Sequence, residues 1–142
     1  MALQRLVYAS RPFGFDDAML NGILAQARHF NARDGLTGAL ICRADIYLQL
    51  LEGPAAALNA TFARIGQDDR HLEIQLLIQE PVEDRLFPAW HMRDDPARSW
   101  IWTPKEVAAG AAARASRDEI VGVFARLAAE PVSLRVHGLV EA

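Results

Sequence analysis

The sequence predicts a two-layer α+β sandwich with a helical appendage. Three observations carry that expectation. Runs of strand length and strand composition recur five times within the first 95 residues. Two windows between them place apolar side chains at helical spacing. The resulting order is β-α-β-β-α-β-β, a split βαβ pattern.

Leu3 to Ser10 reads as the first strand, with Leu6, Tyr8 and Ser10 on one face and Val7 on the other. Arg11 to Gly14 breaks it. From Asp16 to Phe30 the residues Met19, Leu20, Ile23, Leu24, Ala27 and Phe30 define a helix, acidic at its start, and Asn31 closes it. Leu36 to Cys42 is a second strand, Arg43 to Asp45 a short hairpin connection, and Ile46 to Glu52 a third strand. Gly53-Pro54 opens a second helix striped by Leu58, Phe62 and Ile65, with Pro54 in its first turn. Leu72 to Leu76 alternates and runs on to Ile78 as a fourth strand. Ala89 to Arg93 is a short fifth strand, with Trp90 and Met92 on one face. This is the ferredoxin-like arrangement, assigned to residues 1–95.

Residues 96–142 differ. Thr103-Pro104-Lys105-Glu106 and Ser116-Arg117-Asp118-Glu119 fit capping boxes, and Ala108 to Ala115 is plain helix former. Ile120, Val123, Phe124 and Leu127 share one apolar face, and Pro131 ends that helix. Two central helices cover only one face of the sheet, while Val7, Leu48 and Leu50 look toward the other. The extension is therefore expected to cover that second face and not to be an output enzyme. A homodimer contact is the alternative use of the same stripe.

Composition bounds the function. The 142 residues suit one compact domain, 51% are apolar, and the net charge of −3 includes no basic run. Binding to nucleic acid or to a membrane surface is not expected. No segment approaches the length of an apolar membrane span, and the N-terminus lacks the apolar core of a signal peptide. The single cysteine, Cys42, makes a reducing cytoplasm the default and reads as an inert buried thiol. His29, His71, His91 and His137 are scattered without metal spacing, so no metal is expected. Glycine-rich phosphate loops and nucleophile elbows are absent from the sequence.

The informative residues are polar ones set in apolar surroundings. Gln49 sits inside Tyr-Leu-Gln-Leu-Leu, where an unpartnered amide costs roughly 1–3 kcal/mol. Tyr8 raises the same question on the first strand. The first and third strands are central neighbours in such a sandwich, so Tyr8 and Gln49 either serve a site beneath the helices or simply bond each other. Asn31 by itself reads as a left-handed cap, and Asp68-Asp69-Arg70-His71 as a solvated turn. Trp90 and Met92 by themselves read as core.

Taken together, these pieces resemble a known family. Tyr8 with Ser10, Asn31 ahead of Gly35-Leu36-Thr37-Gly38, Leu48 to Pro54, Asp68 to His71, and Arg85 to Met92 are similar to the BLUF domain, the blue-light sensors using FAD. The resemblance runs in order from about Leu3 to Arg93, specific as a set and weak in any single piece. The short remainder resembles that of stand-alone bacterial members. The resemblance implies FAD held non-covalently, with its ring between the two helices and the sheet. It makes Tyr8 and Gln49 the photochemical pair and Asn31, Gln49, Asp68, Arg70 and His71 cofactor contacts. Trp90 and Met92 match the strand residues through which a signal would leave. Phe30 departs from the pattern, since some members carry a polar residue there.

The residue types suit a flavin. A planar, mostly apolar ring with one polar edge calls for aliphatic walls and a few placed donors and acceptors. Ile23, Leu24, Ala27 and Ile65 can supply the walls. Asn31 and Gln49 each carry a donor and an acceptor, and turning the Gln49 amide exchanges the two. The expected function is a photoreceptor, not a turnover enzyme, that signals to an unidentified downstream protein. The competing readings are a small acylphosphatase-like hydrolase using Arg70 or Arg11 with Asn31, and a ligand-free dimerisation module.

Overall fold

The computed structural model describes residues 2–14 and 16–130, so Pro131 and His137 lie outside the described residues. One five-stranded sheet runs in the order β4-β1-β3-β2-β5. Strand β1 (Leu3–Pro12) lies antiparallel between β3 (Ile46–Pro54) and β4 (His71–Val82), and β2 (Thr37–Arg43) pairs antiparallel with β3. The register sets Tyr8 directly opposite Gln49.

Period-two alternation splits the core into two layers. Leu6, Tyr8, Tyr47 and Leu51 face α1 (Asp17–Asp34) and α2 (Ala55–Gly66), and pack with Leu20, Leu24 and Leu58. Val7, Ala9, Leu48 and Leu50 face the other way, where Ile120, Phe124 and Leu127 of α5 (Arg117–Ala128) join them. Each layer removes large aliphatic side chains from water, at about 25 cal/mol per Å² of apolar surface.

Several expected boundaries shift, each for a local reason. Helix α1 runs past Asn31 and ends at Gly35, whose left-handed backbone (φ 75°) lets its N–H reach Asn31 O. Asn31 is thus an interior helical residue, not the cap. Pro54 is the residue before α2, not part of its first turn. Strand β1 continues through Pro12 because its edge still pairs with His71. Strand β4 is less regular than its alternation suggests, with Glu73 at φ 51° and two register breaks against β1.

The fifth strand is Arg93–Pro96, pairing parallel with β2, and not Ala89 to Arg93. Residues 88–92 form turns and bends before it. A side chain anchors the chain just ahead of this stretch. The buried Glu52 carboxylate accepts the backbone N–H groups of Leu86 (2.8 Å) and Phe87 (3.1 Å). Trp90 and Met92 consequently do not alternate along one strand face. Acidic Asp94 and Asp95 make β5 hard to read as a strand, but Arg28 pairs with Asp94 and Arg93 and Arg98 with Asp95.

In the appendage, Thr103 and Glu106 form the full capping box of α3 (Pro104–Ala108). Gly110, left-handed at φ 91°, separates α3 from α4 (Ala111–Arg114), so the alanine-rich stretch is not one helix. Ser116 accepts the Glu119 N–H at 3.1 Å, but the Glu119 carboxylate takes the Trp102 indole N–H instead of closing a second box.

Candidate functional site

A cleft opens between α1 and α2 above the middle of β1 and β3. It holds about 500 Å³ of atom-free space, part of it open to solvent. Helix α1 supplies Ile23, Ala27 and Asn31 to its lining, α2 supplies Ile65, and the sheet floor supplies Tyr8 and Gln49. Asp68, Arg70 and His71 close one end.

The floor forms because β1 and β3 are paired in register. Gly38 on β2 permits the tight layer behind it: a Cβ there would sit 2.0 Å from Leu50 O. The Tyr8 hydroxyl donates to Gln49 Oε1. The Gln49 Nε2 donates to Met92 Sδ at 3.4 Å. Burial pushes the Tyr8 phenol far above its ordinary pKa, with the charges on Asp68 and Tyr47 adding to the effect. Tyr8 therefore stays protonated and donating at neutral pH. Gln49 accepts one strong bond and donates one weak one, because a thioether is a poor acceptor.

Asn31 is 1% exposed. Its Nδ2 donates to His91 O at 2.7 Å, and the residue lines the cleft. At the closed end, Asp68 Oδ1 accepts the Arg70 backbone N–H and Nε, both at 2.9 Å. This contact holds the Asp68 carboxyl below the usual carboxylate range. His71 Nδ1 lies 2.9 Å from Ser10 Oγ, and its ring meets the rings of Tyr8 and Tyr47 edge-on. Burial lowers the His71 pKa; Asp68 opposes that shift and Arg70 assists it. His71 is neutral in this setting at ordinary pH, one ring nitrogen donating and the other accepting.

Two expected residues fall elsewhere. Leu24 is buried in the helix–sheet core and is not part of the cleft wall. Trp90 is half-buried in the loop before β5, its carbonyl accepting the Gly38 N–H at 3.0 Å, and Met92 instead reaches Gln49. Gln26, Phe30, Thr61 and Arg64 also line the cleft. Helical spacing from Ile23 and Ile65 points to Gln26, Phe30 and Thr61. The Arg33 and Arg64 guanidiniums each lie over the Phe30 ring, 4.7 and 4.5 Å from its centre.

The fit to a flavin rests on this donor set. The cleft offers aliphatic walls, a buried amide pair in Asn31 and Gln49, and arginines at its rim. Among the described residues no three His, Cys, Asp or Glu side chains converge to hold a metal ion. No helix of the described residues is long and apolar enough to cross a membrane. Arg11 pairs with exposed Glu73 and Arg70 with Asp68.

A five-stranded α+β sandwich with a polar-floored cleft under two helices has the form of a small-ligand-binding domain. The chain belongs to the BLUF family, sensors of blue-light using FAD, whose model matches residues 3–93. It is similar to the photoactivated adenylate cyclase subunit beta of Euglena gracilis, 33% identical over 81 residues. That match takes in 57% of this chain and 9% of the relative, so the chain spans about a tenth of the curated relatives it matches. The dark-state structure of BlrB, a BLUF protein, is 34% identical with a TM-score of 0.73, covering 90% of this chain and 96% of that one. A bacterial light-regulated adenylyl cyclase is 32% identical with a TM-score of 0.64, covering 66% of this chain and 28% of that one.

Proposed function

We propose that the chain is a blue-light photoreceptor that holds FAD non-covalently in the cleft between α1 and α2. The observation that carries this reading is the chain of contacts from Tyr8 through Gln49 to Met92 on the cleft floor. When bound, the flavin supplies an excited state that takes an electron and a ring edge that accepts hydrogen bonds. Tyr8 would be the residue that lends an electron and its hydroxyl proton to the excited ring, both returning to it when the ring relaxes. The Gln49 carboxamide then turns, because its donor end is held only by a thioether. Turning exchanges the positions of Oε1 and Nε2 and offers the cleft a new donor. Asn31, Asp68, Arg70 and His71 hold the ligand's polar edge, and Ile23, Ala27 and Ile65 exclude water from its faces.

The relatives support a relay to an effector, since two of them are light-regulated cyclases by name. For this chain the effector is a separate partner protein, met in a reducing cytoplasm that suits its lone buried thiol. In this reading residues 96–142 are not an output enzyme. The apolar side of α5 is spent on the sheet.

The test is spectroscopic. Purified protein is expected to be yellow, to release FAD and not FMN on denaturation, and to show a reversible red shift under blue light. Tyr8→Phe and Gln49→Leu should each retain the flavin and lose that shift. A Gln49→Leu protein that photocycles like the parent would overturn the amide switch. A colourless protein that stays colourless with added FAD would overturn the photoreceptor.

A further inference from the structure

We propose that Arg28 is a positioning residue that holds Met92 Sδ against the Gln49 amide and so sets how long the illuminated state lasts. The proposal rests on the photoreceptor reading above. Met92 is wholly buried, yet no strand pairing fixes it, because β5 begins one residue later. Two side chains one turn apart on α1 fix it instead. Asn31 Nδ2 donates to His91 O at 2.7 Å, and Arg28 Nε donates to Met92 O at 3.1 Å. The same guanidinium donates through Nη2 to Asp94 Oδ1 at 3.0 Å. Consecutive carbonyls and the first acidic side chain of β5 are thus clamped to the helix that walls the cleft.

The clamp bears on the switch through one contact. In the resting arrangement Gln49 presents its N–H to the Met92 sulfur. Once the amide has turned, its carbonyl oxygen faces that sulfur, and two acceptors oppose each other. A sulfur that cannot retreat drives the amide back. Releasing the clamp lets Met92 withdraw and removes that drive. Arg28 does this with a planar fork whose Nε and Nη2 engage two acceptors at once, which a lysine ammonium cannot reproduce.

The test uses the flavin-loaded full chain carrying 13C-methyl methionine, with Met92→Leu assigning the resonance. Arg28→Met should move the Met92 methyl resonance in the dark and slow decay of the red-shifted state by about fivefold. Arg28→Lys keeps the charge opposite Asp94 and should behave like Arg28→Met. An unmoved resonance, or a moved one with an unchanged half-life, overturns the proposal. Full rescue by Arg28→Lys also overturns it, since charge pairing alone would then suffice. If the parent chain shows no red shift, the photoreceptor reading falls, and with it the lifetime; the dark methyl resonance then decides the clamp alone.

Discussion

At the scale of single residues, buried charge is retained where it organises backbone. Glu52 is 0% exposed and meets Arg5 Nε at 3.0 Å. It also accepts the N–H groups of Leu86 and Phe87, at the start of the loop that leads to Met92. A buried ion pair is a weak source of net stability, but removing one partner strands the other. Glu52→Ala should therefore cost about 3–5 kcal/mol, read as a lower urea midpoint with an unchanged slope. A midpoint close to the parent's would show that Arg5 and the loop find other partners. The same reasoning explains why Gln49 is tolerated mid-strand. Its carbonyl takes the Tyr8 hydroxyl and its amide a sulfur, so the desolvation cost is offset at both ends.

At the scale of elements, α5 is amphipathic and spends its apolar side on the sheet. Phe124 is 0% exposed and meets Phe87 edge-on at 6.3 Å between ring centres. Phe124→Ala should destabilise the protein by about 3–5 kcal/mol, the cost of truncating a fully buried phenylalanine. A loss within about 0.5 kcal/mol, as for a surface site, would show that the helix does not seal this layer. The exposed Arg117–Glu80 contact contributes far less, because solvent screens it. The contact between Phe124 and Phe87 also joins α5 to the loop that precedes Met92. A change at Gln49 thereby has a packed route to the appendage.

At the scale of the whole molecule, stability should depend on the protonation of His71. The unfolded chain takes up that proton near the ordinary imidazole pKa of about 6.5, and burial holds the folded value lower. Between the two values the unfolded state binds more protons, so acid favours unfolding. The contribution is complete above about pH 6.5 and is lost as pH falls through the window beneath it. Asp68 does not confound this window, because its pKa is lowered and its contribution fails only at more acidic pH. Melting temperature should fall between about pH 7.5 and 5.5, and His71→Gln should flatten that slope. A parent profile already flat there would count against a buried neutral imidazole.

Patterning alone specified the split βαβ order, the two faces of β1 and β3 and the amphipathic α5, because burial imposes periods of two and 3.6 on any half-covered element. The family motif, read along the chain, brought Tyr8, Asn31, Gln49, Asp68, Arg70 and His71 forward as one set. Only packing settled which of these converge and what stands beside them. Asn31 lies inside α1 because Gly35 supplies the left-handed end four residues later. The last strand lies beyond Met92 because Arg28, Arg93 and Arg98 neutralise acids that no local pattern marks as strand. Met92 and not Trp90 reaches Gln49 because the chain between Phe87 and Arg93 is held by long-range bonds from Gly38, Asn31 and Arg28. Such contacts join residues about 60 apart in sequence, a separation over which local propensity carries no information.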